Sequence, residues 1–304
     1  ADLGNIIIGQ TPDDTYAALS LIVSELIQQK IFPVIIGGSN DIAYANYLAY
    51  EKLKQIINIA SLDAEFDIEK SFSNLNSKNY LNKIVLQHPN YLFNYTNIGH
   101  QSYFVEEETV ALMKKLFFDA YRLGKIRDDM EAAEALVRNA DMLSIDICCV
   151  RQSDAPGCER VSPNGFYGEE ICKIIRYAGM NDKLSSAGFY EINPLRDING
   201  QTAHLTAQMI WFLIEGIALR KNDFPKRDSN DYVKYYVFNK QLDNELIFYK
   251  SKKTGRWWME VALTANETTV FKRHYLVACT YKDYQMALKE EIPDRLWLTY
   301  QKIM

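Results

Sequence analysis

The chain has 304 residues, 48% of them hydrophobic and 24% charged, with a formal net charge of -5. That length suits one large α/β domain with an appendage, or two smaller domains, and the slight negative balance leaves no basic surface that would predict nucleic-acid binding. No run reaches the roughly 18 apolar residues of a membrane span and no charged segment leads into an apolar block, so the expectation is a soluble, cytoplasmic protein that meets a small ligand or a protein partner.

The chain opens abruptly: Asp2 to Asn5 followed by Ile6-Ile7-Ile8 reads as a strand already inside a domain, which suggests a missing N-terminal segment. Thr11 can cap a helix that has Pro12 at its first position and Asp13 and Asp14 at its positive end, running to about Lys30. Ile31 to Ile36, stopped by Gly37-Gly38, reads as a buried parallel strand. Predicted elements then alternate: helix Asp41 to Lys54, strand Ile56 to Leu62, helix Glu106 to Leu123, helix Met130 to Asn139, strand Met142 to Ile147, helix Gly168 to Tyr177, strand Leu184 to Tyr190, helix Thr202 to Leu219. This rhythm implies a mostly parallel sheet with helices on both faces. Lys221 to Asp228 is a polar linker with a proline. Beyond it, Tyr232 to Phe238, Glu245 to Lys250 and Arg256 to Val261 look like strands, the last two joined by a hairpin turn at Lys252 to Gly255, and a helix from about Asp283 precedes a last aromatic segment. The aromatic residues of this extension exceed what a linker could solvate, so it should pack on the α/β domain.

In parallel sheets, polar residues that do chemistry gather where strands end. Four such clusters stand out: Gly37-Gly38-Ser39-Asn40-Asp41, Asp63-Ala64-Glu65-Phe66-Asp67, Ser144-Ile145-Asp146-Ile147-Cys148 and Glu191-Ile192-Asn193-Pro194. Taken singly, each is as well explained as loop chemistry. An extended backbone would put Asp63, Glu65 and Asp67 on one side, where their charges repel unless a cation or protons offset them.

In order and spacing the four clusters resemble the ureohydrolase signatures Gly-Gly-x-His, Asp-Ala-His-x-Asp, Ser-x-Asp-x-Asp and Glu-x-Asn-Pro. Asn193-Pro194, Asp197, Gly200 and Thr202-Ala203 look like the family's closing stretch. The acid Asp41 and the Ala155-Pro156-Gly157 stretch lean toward the formimidoylglutamase branch. The resemblance covers about residues 1 to 220 and implies a three-layer α/β/α arginase-like domain, with residues 221 to 304 a small strand-and-helix extension beyond it.

That family hydrolyses C–N bonds of linear amidines with two manganese ions held by six side chains. The resemblance puts retained metal ligands at Asp63, Asp67 and Asp146, and substituted ones at Asn40, Glu65 and Cys148. One metal position would see Asp63, Asp67, Asp146 and Asn40, an all-oxygen set suited to Mg²⁺, Ca²⁺ or Mn²⁺. The other would see Asp63, Asp146, Glu65 and Cys148, a soft thiol among hard donors, and should stay empty. The expected cofactor is therefore none, or one weakly bound divalent cation, and not dimanganese. Glu191 matches the glutamate that receives the amidine, and Arg151 and Arg160 could hold a substrate carboxylate.

Three functions follow from this reading. The first is a degenerate family member that keeps a pocket for a small amidine or amino-acid-like ligand, or a scaffolding role. The second is a working hydrolase of formimidoylglutamate or a guanidino compound, using one metal on Asp63, Asp67 and Asp146. The third makes the C-terminal extension a protein-interaction module; family resemblance also suggests a homo-oligomer. Elsewhere the plainer reading leads. Five cysteines, Cys148, Cys149, Cys158, Cys172 and Cys279, lack paired metal-ligand spacing and fit reduced thiols, with Cys148 and Cys149 as buried small side chains. His100 reads as a hydrogen-bonded structural group, and Trp257-Trp258 as one core ring and one surface ring.

Overall fold

In the computed structural model, residues 1–69, 74–226, 229–240, 242–263 and 270–303 are described; Arg227 and Asp228 of the expected linker lie outside them. Helix α1 (Pro12–Gln28) starts as its sequence dictates, with Thr11 and Asp14 in a reciprocal capping box. It is followed by β1 (Val34–Ile36), α2 (Ile42–Lys52), β2 (Ile57–Leu62), α3 (Tyr80–Leu86), β3 (Leu92–His100), α4 (Glu107–Lys115), β4 (Asp119–Arg122), α5 (Leu123–Asp128), α6 (Ala132–Val137), β5 (Met142–Asp146), α7 (Gly168–Gly179), β6 (Ser186–Tyr190) and α8 (Gln201–Ala218). The six strands form one parallel sheet in the order β1-β6-β5-β2-β3-β4.

Alternation along the strands divides the core. Ile57, Ile59, Met142 and Tyr190 face a cluster with Tyr47, Tyr50 and Tyr80 from α2 and α3. Ala60, Leu62, Leu143, Ile145 and Phe189 face the opposite cluster with Ile171, Ile174 and Leu213 from α7 and α8. Helices thus cover both faces, the expected three-layer architecture.

Several expectations need correction. Residues 6–8 form no strand, and Ile7 and Ile8 are exposed; an isolated apolar run without a neighbouring strand leaves its backbone groups unpaired. The single helix expected over Glu106 to Leu123 is three elements. Phe117 adopts a left-handed backbone, φ 56°, which ends α4, and the chain turns into β4. β4 pairs with β3, a strand the sequence concealed because Asn94, Thr96 and Asn97 interrupt its apolar pattern. Those residues serve the interior: the Asn94 amide donates to Asp119 at 2.7 Å.

The extension is a four-stranded antiparallel sheet, β10-β9-β8-β7, built from β7 (Tyr232–Asn239), β8 (Asn244–Ser251), β9 (Trp257–Glu260) and β10 (Leu276–Cys279), followed by α9 (Tyr281–Leu288) and α10 (Asp294–Ile303). The turn at Lys252 to Gly255 is present, with Gly255 at φ 75°. Both tryptophans are buried, Trp257 in one small core and Trp258 in another, so the expected surface ring is absent. Polar contacts join the extension to the α/β domain. Arg138 donates to the Trp257 carbonyl at 2.6 Å, Asn139 to the Leu276 carbonyl at 3.1 Å, and the His274 ring meets the Ile56 carbonyl at 3.1 Å. Arg273 pairs with the buried Asp141, and Arg256 with Glu134 at 3.0 Å.

Candidate active site

Strand register makes the crevice. Leu62, Ile145, Phe189 and Ile36 lie in one row across β2, β5, β6 and β1, so the residues that follow them leave the sheet side by side. They are Asp63, Asp146, Glu191 after Tyr190, and Asn40 after the Gly37-Gly38 turn. The two glycines have φ 91° and 79°, a conformation that costs a side chain and lets the backbone fold back at the sheet end. Glu191 itself is left-handed, φ 60°; its N–H donates to the Gly38 carbonyl and its Oε1 accepts the Asn40 N–H, both at 2.8 Å.

The acids are not arranged as an extended stretch would place them. Asp67 turns into the left-handed region, φ 49°, and curls back beneath Asp63. Both are buried, while Glu65 stays partly accessible. The Asn40 amide donates to Asp67 at 2.5 Å and to Asp63 at 3.3 Å. Asn97, which belongs to none of the four motifs, donates to the Glu65 carbonyl at 2.6 Å and fixes the loop. Arg160 reaches across from the loop after Gly157, pairing with Glu65 and, at 3.0 Å, with Asp146. That loop is anchored: Asn193 donates to the Gly157 carbonyl at 2.8 Å, and the Gly157 N–H to Thr202 Oγ1 at 2.7 Å. Asp197 caps α8 through the Thr202 and Ala203 amides at 2.8 and 2.9 Å.

Burial and crowding hold protons in this cluster. Asp63 is pushed well above the usual carboxylate range by burial and then by Asp67. Burial raises Asp67 to about 7, and burial followed by the Asp63 charge raises Asp146 to about 8. Burial and crowding therefore favour the protonated forms of these three groups, and the Arg160 guanidinium offsets the charge that remains. Tyr80 packs behind them, its hydroxyl raised by burial. Cys148 lies in a short 3-10 turn after β5, its N–H donated to Asp146 Oδ1 at 2.7 Å, and the neighbouring Cys158 and burial push its thiol pKa up. Among the described residues no group of three or more His, Cys, Asp or Glu side chains has the arrangement of a metal site.

Other candidates lie apart. Arg151 pairs with Asp154 at 2.9 Å and stacks 4.0 Å from the Tyr167 ring centre, lining a groove with Gln201 and His204 and not touching the acid cluster. His100 ends β3, lies tilted by 54° against Phe66 with ring centres 4.7 Å apart, and is held neutral, its pKa lowered to about 4 by burial and then by Arg122. All five cysteines are free and buried. No helix among the described residues is long and apolar enough to cross a membrane.

The family profile described as "Arginase family" matches residues 1–215. The chain belongs to the arginase family. It is similar to curated formimidoylglutamases: 24% identical over 216 residues to that of Streptococcus gordonii, covering 66% of this chain and 65% of that protein, and 27% over 228 residues to that of Geobacillus sp., covering 68% and 66%. The chain therefore spans just under two thirds of these relatives' length. Among solved structures, formimidoylglutamase from Bacillus subtilis superposes with a TM-score of 0.65 at 21% identity, covering 72% of each chain. Trypanosoma cruzi formiminoglutamase with Mn²⁺₂ gives 0.65 at 17%, covering 71% of this chain and 75% of that one. The arginase-family fold of the α/β domain is thereby shown; the antiparallel sheet lies beyond the matched residues.

Proposed function

We propose that this formimidoylglutamase-like chain keeps the family crevice as a pocket for a small amidinium or amino-acid-like ligand while having little capacity for dimanganese hydrolysis. One observation carries the reading: three of the six positions that hold ions in the family carry Asn40, Glu65 and Cys148, and each is engaged otherwise. The Asn40 amide donates to two of the retained aspartates, Glu65 is paired with Arg160, and the Cys148 thiol is buried and held in its neutral form beside the free thiol of Cys158. These residues do not fit a two-ion centre, since both imidazoles are replaced and the thiol is a poor partner for a hard cation. Asp63, Asp67 and Asp146 retain hard-oxygen affinity, so one weakly held Mg²⁺, Mn²⁺ or Ca²⁺ is the most this set would take.

Glu191 remains as the recognition element. It is partly accessible, positioned by its own strained backbone, and placed so that a planar amidinium meets a carboxylate in a charge-assisted contact. The test is ammonia and formamide release from formimidoylglutamate by Mn²⁺-loaded protein, alongside calorimetric titration with the same compound. Binding without turnover supports the reading, and turnover at rates ordinary for enzymes overturns it.

A second reading rests on β7, the edge strand of the extension, which exposes Tyr236 and Phe238. Unpaired edges with exposed rings suit strand addition by a protein partner. Loss of a captured partner on changing both rings to Ser, with the ligand pocket intact, would favour it.

A further inference from the structure

We propose that Arg160 is the resident cation of the crevice: with Glu65 it forms a matched pair that supplies internally the positive charge that bound ions supply in metal-dependent relatives. This rests on the ligand-pocket reading and extends it to the question of what stabilises the acid cluster.

Five carboxyl groups, Asp63, Glu65, Asp67, Asp146 and Glu191, converge on the ends of three adjacent strands, β2, β5 and β6. Two like charges about 4 Å apart repel by roughly 4 kcal/mol at the effective dielectric of a protein surface, so such a group needs counter-charge or protons. Arg160 delivers the charge. One guanidinium nitrogen takes Glu65 and another takes Asp146 at 3.0 Å, so the planar fork spans two carboxylates as a bridging ion would. Its loop is held by the Gly157 contacts to Asn193 and Thr202, which makes the placement a property of the framework.

The identity of residue 65 follows from the same pairing. A histidine there would offer no anionic acceptor to a guanidinium, whereas a glutamate provides one and adds the length to reach it. Cation and acceptor belong together: the glutamate without Arg160 would worsen the repulsion, and Arg160 beside an occupied ion site would be expelled by like charge. Asn40 completes the pattern by donating to Asp63 and Asp67, the two aspartates with which Arg160 makes no ion pair among the described residues.

The experiment uses the full chain and the variants Arg160→Gln and Arg160→Lys, each equilibrated with MnCl₂, dialysed without chelator, and analysed for metal content and thermal midpoint. Wild type and Arg160→Lys should hold little manganese and show midpoints indifferent to it. Arg160→Gln should retain about one ion per chain and gain roughly 5 °C or more in saturating Mn²⁺. A folded Arg160→Gln that gains neither metal nor midpoint overturns the proposal, as does equal uptake by Arg160→Lys. Should Arg160→Gln fail to fold in either buffer, the Glu65→Gln/Arg160→Gln pair, which removes one charge of each sign, carries the same readout, and its failure to take up manganese overturns the proposal as well. Turnover of formimidoylglutamate by wild type that still holds little manganese would defeat the ligand-pocket reading and leave this result standing. Absence of uptake by the variants would do the reverse.

Discussion

Glu191→Gln separates recognition from architecture. The Glu191 Oε1 accepts the Asn40 N–H at 2.8 Å, which joins the ends of β1 and β6, and under the proposed function the carboxylate charge also receives the ligand. A glutamine keeps an acceptor oxygen at the same reach and loses only the charge. The hydrogen bond to Asn40 weakens from a charged to a neutral one, a change of about 1 kcal/mol, so the thermal midpoint should fall by no more than about 2–4 °C for a chain of this size. Ligand binding should suffer more. A hydrogen bond to a charged group contributes about 1.5–3 kcal/mol, equivalent to roughly 10- to 150-fold in affinity. Calorimetric titration of formimidoylglutamate or a simple amidinium salt into both proteins, with midpoints measured in parallel, is the assay. Equal affinity within about twofold, at equal midpoint, would show that Glu191 does not face the ligand.

Asp141 is fully buried before β5 and accepts the Asn58 N–H at 2.9 Å and the Arg273 guanidinium; Asp141→Ala should cost about 3 kcal/mol in chemical denaturation, and a loss below about 1 kcal/mol would mean the half-exposed Arg273 pair and the backbone contact are replaced by water. His100→Gln tests a buried neutral imidazole. With the folded pKa at about 4 and the unfolded one near 6.5, the unfolded chain binds the extra proton as pH falls, so wild type should lose about 1.4 kcal/mol per pH unit relative to the variant between about 6.5 and 4. The comparison is needed because Asp67 and Asp146, raised to about 7 and 8, make the folded chain the better proton binder over the same range; a stability difference independent of pH would refute the assignment. The triple change Asn40→His, Glu65→His, Cys148→Asp should raise manganese content, and more so with Arg160→Gln added; no uptake by the quadruple variant on elemental analysis would mean that the backbone of the crevice has moved as well as its ligands.

The α/β alternation and the four strand-end clusters were legible because each rests on local chemistry: Thr11 with Asp14, Gly37-Gly38, and apolar runs bounded by breakers. β3 was not, since Asn94 and Asn97 carry hydrogen bonds that only the assembled sheet reveals. β4 was hidden because nothing in the run Leu116-Phe117-Phe118 announces the left-handed turn at Phe117. In the site, the strand-end positions of Asn40, Glu65 and Cys148 could be read from the four motifs alone. The bridging position of Arg160 could not, because it depends on how the loop after Gly157 is tied to α8. The surface ring expected of the Trp257-Trp258 pair fails for a similar reason: both lie on the inner strand β9, and Trp258 is buried with the Arg138 guanidinium 4.8 Å from its ring centre.

The extension grips the α/β domain at the ends where strands begin: Ile56 before β2, Asp141 before β5, and Asn94 early in β3, which receives Lys302. The acids and Glu191 occupy the far ends of the same strands. Perturbations at the two ends share no partner and are separated by the length of a strand, so their free energies should sum. The Glu191→Gln/Asp141→Ala double variant should therefore lose ligand affinity as Glu191→Gln does and stability as the two single changes together do, which leaves evolution, or a protein engineer, free to rewrite one rim without renegotiating the other.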